Sequence, residues 1–240
     1  MTLSGSGGPG PARTPSAPGN ATRRIVFLHI GKTGGTALRG LLRAQVEATG
    51  QRPFRILSHS VTLAEAAAQF PHAELGFFIR DPLDRLVSGF VSRQRRGRPR
   101  FDIPWSAGER AAFSRYDSPD ALGRALARDE PEALAALAAI QHTRDGLAHF
   151  LGGPELLDRL VPRLGFIGAT ESFDTDIARL KRRLGLAPEL EAPRDPVGAH
   201  RSPAAAPPLS EPARAALTAW LAPDYAVHAW CTAWRARHPD

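Results

Sequence analysis

Short apolar runs that end on glycine or arginine divide the first half of the chain into alternating extended and helical pieces. Ile25-Val26-Phe27-Leu28-His29-Ile30 is β-branched and stops at Gly31, the pattern of a strand buried on both faces of a parallel sheet. After the turn from Gly31 to Thr36, Leu38, Leu41, Leu42 and Val46 recur at helical spacing. Residues 54–57 read as a second strand leading into Ser58-His59-Ser60, and residues 62–70 as a helix. A third strand over residues 75–79 ends on Arg80, with Asp81 placed as an N-cap and Pro82 at the first helical position. Leu83, Leu86, Val87, Phe90 and Val91 then form one apolar stripe, which carries that helix to about Arg93.

The second half is less regular. Residues 119–151 are rich in alanine and leucine and read as helical, 164–168 as another buried strand, and 174–184 as its following helix. Residues 187–208 are proline-rich without apolar periodicity, which predicts a long loop of the kind that is often functional. Two more helices are expected over 211–221 and 225–235. Alternating strands and helices predict an α/β fold: a P-loop-like parallel sheet flanked by helices, in a single domain over residues 23–240. Residues 1–22 are Gly, Pro and Ser rich and are expected to be a disordered tail, because they carry too little apolar surface to offset ordering.

Composition narrows the function classes. A hydrophobic content of 42% with 23% charged residues is that of an ordinary globular chain. The single cysteine, Cys231, excludes an internal disulfide and a multi-cysteine metal site, and reads as a buried, inert thiol. No run approaches the roughly 18 apolar residues that cross a bilayer, and the N-terminus lacks the apolar core of a secretory signal. A cytoplasmic protein without a stable membrane anchor is therefore expected. The net charge of +7 and the pI near 10.8 favour an anionic ligand. Of the 31 basic side chains only Lys32 and Lys181 are lysines, so a lysine inside a glycine-rich turn points to a need for a compact ammonium.

A glycine-rich turn between a strand and a helix presents backbone N–H groups and the helix dipole to an anion. Gly31-Lys32-Thr33 matches the end of the nucleotide-binding pattern G-x-x-x-x-G-K-[ST], but Val26 stands where its first glycine would be. The lysine thus opens the loop, with Gly34 and Gly35 after it. A second motif, Arg80-Asp81-Pro82-Leu83-Asp84-Arg85-Leu86-Val87-Ser88-Gly89-Phe90, puts a permanent cation at a strand end and a hydroxyl on the next helix. That pair suits a phosphate monoester. The plainer alternative has Asp81 capping, Arg80 or Arg85 in a surface ion pair, and Ser88 as a helical filler.

Together the two motifs resemble the carbohydrate sulfotransferases related to heparan sulfate 2-O-sulfotransferase. The segment from Phe27 to Thr36 is similar to that family's 5′-phosphosulfate loop, where a proline commonly stands in place of Gly31, and Arg80 to Phe90 is similar to its R-x-P-x-x-R-x-x-S-x-[FY] segment. Residues 164–184 also resemble a downstream family segment, so the resemblance spans about 24–186. It implies a sulfotransferase fold and a sulfuryl donor, 3′-phosphoadenosine 5′-phosphosulfate (PAPS), with 3′,5′-adenosine bisphosphate (PAP) as product. Lys32, Thr33, Gly34, Gly35 and Thr36 would cradle the 5′-phosphosulfate, and Arg80 and Ser88 would hold the 3′-phosphate. His59 matches the family's general base after the second strand. His200-Arg201-Ser202 resembles the basic loop that closes over the donor, which adds Arg201 and Ser202 to the expected binding residues. The acceptor implied is a hydroxyl, with a glycan or glycoconjugate the expected class, no nucleic acid partner and no metal. Arg93, Arg95, Arg96, Arg98 and Arg100 read first as a solvated run and second as a dock for an acidic glycan. His29, inside the first strand, reads as structural. The rival classes are a P-loop nucleotide kinase and a non-catalytic protein that binds anions or nucleic acid.

Overall fold

A computed structural model describes residues 24–191 and 208–239. Its sheet contains β1 (Ile25–Phe27), β2 (Phe54–Ile56), β3 (Glu74–Ile79) and β4 (Leu164–Ala169), in the order β2-β1-β3-β4 with every neighbouring pair parallel. The helices are α1 (Gly35–Thr49), α2 (Leu63–Gln69), α3 (Pro82–Gln94), α4 (Ala107–Arg115), α5 (Pro119–Leu126), α6 (Pro131–Ala139), α7 (Leu147–Leu151), α8 (Pro154–Leu160), α9 (Phe173–Leu184), α10 (Glu211–Trp220) and α11 (Ala222–Arg237).

Alternation along β1 explains the layering, since successive side chains leave a strand on opposite faces. Ile25 and Phe27 pack with Leu38 and Leu41 of α1 and Ile177 and Leu180 of α9. Val26 joins the other face, with Leu63 of α2, Leu147 and Leu151 of α7, and Val227 and Cys231 of α11. The sheet is thus covered on both sides, which is why its strands read as continuous apolar runs. A second core is entirely helical. Leu83, Leu86 and Phe90 of α3 pack there with Tyr116, Leu122, Leu137 and Leu217. Gly123 of α5 lets α10 approach closely, because a Cβ there would lie 2.7 Å from that of Ala213.

The start of α3 follows the expected chemistry, with Asp81 accepting the Asp84 N–H at 3.0 Å and Pro82 first in the helix. Three expectations are corrected. The first strand ends at Phe27 instead of Ile30, because the chain turns toward the glycine-rich loop, although Leu28 and Ile30 stay buried. Residues 119–151 are broken into α5, α6 and α7. Pro131 has no N–H to continue a helix, and the hydroxyl of buried Thr143, 2.7 Å from the Leu137 carbonyl and 2.9 Å from that of Ile140, closes the second break into a turn. The arginine run is not uniformly solvated: Arg93 is buried and paired with buried Glu109 through two contacts of 2.6 and 2.7 Å.

At the far side of the sheet, β4 has β3 as its one neighbour among the described residues. The carbonyl of Ile167 accepts from Arg179 at 2.8 Å and from Arg235 at 3.2 Å. Among the described residues, no helix is long and apolar enough to cross a membrane. The tail, residues 1–22, and the loop residues Arg201 and Ser202 lie outside the described residues.

Candidate anion site at the strand ends

The sheet order reverses direction at β1, since the chain steps to β2 on one side and then to β3 on the other. The crevice outside the carboxyl ends of the strands at such a reversal is where open α/β sheets bind ligands. The loop after β1 and Arg80 after β3 flank it.

The loop is held in a shape that ordinary residues avoid. Lys32 has φ 70 and Gly34 has φ 85, both left-handed. For lysine that conformation is strained, and such strain persists where the surroundings or a function require it. Gly34 is the N-cap of α1 and supplies no side-chain cap, so the first N–H groups of that helix and its dipole face the crevice. Gly35 has a different reason to lack a side chain. The buried His29 ring lies directly beneath, where a Cβ would be 2.0 Å from Cδ2. Thr33 turns its hydroxyl inward to donate to the Ile30 carbonyl at 2.9 Å, so its own contribution to a ligand is its backbone N–H.

Arg85 is the brace of the site. Its surface ion-pair alternative is corrected: the side chain is 2% exposed, and it donates from Nε to the Gly31 carbonyl at 3.0 Å and from Nη2 to the Asp145 carbonyl at 2.6 Å. These bonds fix which face of α3 looks at the loop. Ser88, Ser92 and Arg95 follow Arg85 by three, seven and ten residues, the spacing of one helical face. Arg80 sits half-buried where β3 ends. Its neighbour Asp81 is engaged elsewhere, receiving the Tyr225 hydroxyl at 3.4 Å while its N–H bonds Glu171 at 2.8 Å.

The concentration of cations shows in the lysine. Burial, followed by the charges of Arg95, Arg80 and Arg85, pulls the Lys32 ammonium down from its ordinary value to about 8. His59, exposed just after β2, packs on His29 with ring centroids 4.0 Å apart and planes tilted by 31°, and stands 6.2 Å from His142. Desolvation and then the Arg39 charge lower its pKa, so the ring is neutral at pH 7 and able to accept a proton. Burial, His59 and Arg39 bring His29 to about 3, and burial, Lys32 and other nearby cations bring His142 to about 3.

Lys32, Thr33, Gly34, Gly35, Thr36, Arg80 and His59 therefore lie at the carboxyl ends of β1, β3 and β2, and Ser88 stands three residues along α3 from Arg85, which holds the Gly31 carbonyl. Sequence reasoning missed His142, which no motif marks. It reaches the site because residues 31 and 89 are glycines: a Cβ at Gly31 would lie 2.7 Å from its Nδ1, and one at Gly89 3.0 Å from its Cβ. Arg95 was buried in an arginine run, although its helical spacing from Arg85 and Ser88 was there to be read. Among the described residues, no group of three or more His, Cys, Asp or Glu is arranged to hold a metal ion. Compared with known proteins, the chain matches no family model, no curated protein and no solved structure.

Proposed function

We propose that this protein is a PAPS-dependent sulfotransferase that transfers a sulfuryl group to a hydroxyl acceptor, expected to be a carbohydrate. The observation that carries the reading is the placement of two separate anion-binding elements on either side of one crevice: the Lys32 loop with its helix N-terminus, and Arg80 with Ser88 on the braced face of α3. A bisphosphate nucleotide needs two such points. The residues present fit it, since the loop offers backbone N–H groups and an ammonium, and Arg80 and Ser88 offer a guanidinium and a hydroxyl.

When bound, the donor supplies the sulfuryl group. His59, neutral near pH 7, would take the acceptor hydroxyl proton as the acceptor oxygen bonds to sulfur. Lys32 would offset the charge left on the 5′-phosphate oxygen as its bond to sulfur breaks. Arg80 and Ser88 would hold the 3′-phosphate and so fix the line of attack. Catalysis by positioning and charge stabilisation is what a loose transition state demands, by analogy with phosphoryl transfer.

Ligand-dependent melting tests the reading. PAP should raise the melting temperature, because a ligand held only by the native state stabilises it by mass action. ATP, which has no 3′-phosphate, should do so far less. Equal stabilisation by ATP and PAP points to a nucleotide kinase, and stabilisation by neither removes the proposal.

A further inference from the structure

The arginines from 93 to 98 sort into two groups by their partners. Arg93 has Glu109, while Arg96 and Arg98 have Asp102. Among the described residues Arg95 has no such partner: the side chain is half-buried, with its Nε and Nη2 shut off from water and without a hydrogen-bond acceptor. Guanidinium nitrogens enclosed without an acceptor are costly. Its place at the C-cap of α3 does not account for this, since a favourable contact with the helix dipole leaves a guanidinium free to remain hydrated.

We propose that Arg95 is the second cation of a two-point clamp, with Lys32, on the transferable oxyanion itself, separate from the Arg80 and Ser88 point. The identity of that anion as a sulfuryl group rests on the sulfotransferase reading. Geometry carries the clamp. The Arg85 bond to Gly31 turns one face of α3 to the loop, and Arg95 lies on that face, about 10 Å along the axis beyond Ser88 at 1.5 Å per residue. It therefore belongs to the end of the crevice opposite Arg80. The charge of Arg95 bears on the Lys32 ammonium, as do those of Arg80 and Arg85, so Arg95 lies within reach of the loop. An ammonium gives a point charge and a guanidinium a planar set of donors, a pairing suited to a tetrahedral oxyanion. Turning the guanidinium into the crevice to meet the anion would also give its enclosed nitrogens the acceptors that the described residues withhold.

The test compares PAP with PAPS, which differ by the sulfuryl group. In Arg95→Ala, calorimetry should show PAP affinity within about two-fold of the unaltered protein and PAPS affinity reduced at least ten-fold. Arg95→Lys should restore part of that loss. The unliganded variant should melt no lower than the unaltered protein, because two enclosed donors without acceptors have been removed. Equal loss for PAP and PAPS, or a melting point lowered by several degrees, overturns the clamp in favour of a structural role. Unchanged PAPS affinity with a raised KM for the acceptor overturns it in favour of acceptor recognition. If the unaltered protein binds neither nucleotide, the sulfotransferase reading fails separately. Inorganic sulfate then decides the clamp: stabilisation that Arg95→Ala abolishes supports it, and equal stabilisation of both proteins removes it.

Discussion

On the proposed sulfotransferase reading, Lys32 and His59 are expected to fail in different ways, because one would face the leaving group and the other the acceptor. His59→Ala should keep PAP affinity near normal while sulfation of the acceptor falls by about 10²-fold or more, the scale of losing a general base. Lys32→Ala should lower turnover and also weaken PAPS, since its ammonium meets charge present in the ground state and growing in the transition state. Lys32→Arg keeps the charge but changes its shape, and full activity in that variant would contradict the need for an ammonium. Steady-state kinetics with calorimetric PAP binding separates these outcomes. At this scale the sequence made the loop and the Arg80 segment legible, because each occupies a contiguous stretch with its own spacing. Arg85 as a brace and His142 were not legible. Each depends on a contact made across more than fifty residues of chain, and nothing local to either marks it.

Strands and helices alternate as their apolar periods predict, and the order β2-β1-β3-β4 brings the two motif-bearing strands side by side. What could not be read was the division of residues 119–151 or the second, helical core, since alanine-rich stretches satisfy a helical period whether or not the helix is interrupted. The tie between α3 and α4 was hidden for the same reason. Arg93 of α3 meets Glu109 of α4, and Glu109 also caps its own helix by accepting the Ser106 N–H at 2.9 Å. Burial would raise the Glu109 carboxyl, but bonds from Arg93, Ser106 and Gln141, with the Arg93 charge, outweigh it and hold the carboxyl at about 2. Arg93→Ala leaves that carboxylate buried and uncompensated, so chemical denaturation should show a loss of about 3–5 kcal/mol. Replacing both partners with apolar side chains, Arg93→Met with Glu109→Leu, should recover much of it. A loss under about 1 kcal/mol in the single variant would show that the pair is solvated in solution.

Over the whole molecule, buried His29 and half-buried His142 shape the response to acid. His29 and His142 are held near 3 when folded and return to about 6.5 when the chain unfolds, so the unfolded state binds protons that the native state refuses. Stability therefore falls as pH drops from about 6.5 toward 3, by up to about 1.4 kcal/mol per pH unit for each histidine. Below about 4.5 the Glu109 carboxylate adds a loss of the same sign, since its folded value is depressed. Urea unfolding at pH 7, 5.5 and 4.5 should show this slope, and His142→Gln should flatten it. A pH-independent midpoint would mean that the rings are hydrated in the native state.

The two arginine bonds to the Ile167 carbonyl bear on how the protein behaves in a crowd. An edge strand offers its outward backbone groups as a template on which a strand of another chain can pair. On β4 that template carries permanent positive charge and one of its acceptors is already taken twice, from α9 and from α11. A neighbouring chain approaching in β geometry would have to displace both guanidinium groups and meet their charge. The side chains that fasten α9 and α11 to β4 thus also stand across the edge that the described residues leave open, so the contacts that hold these helices would oppose pairing there.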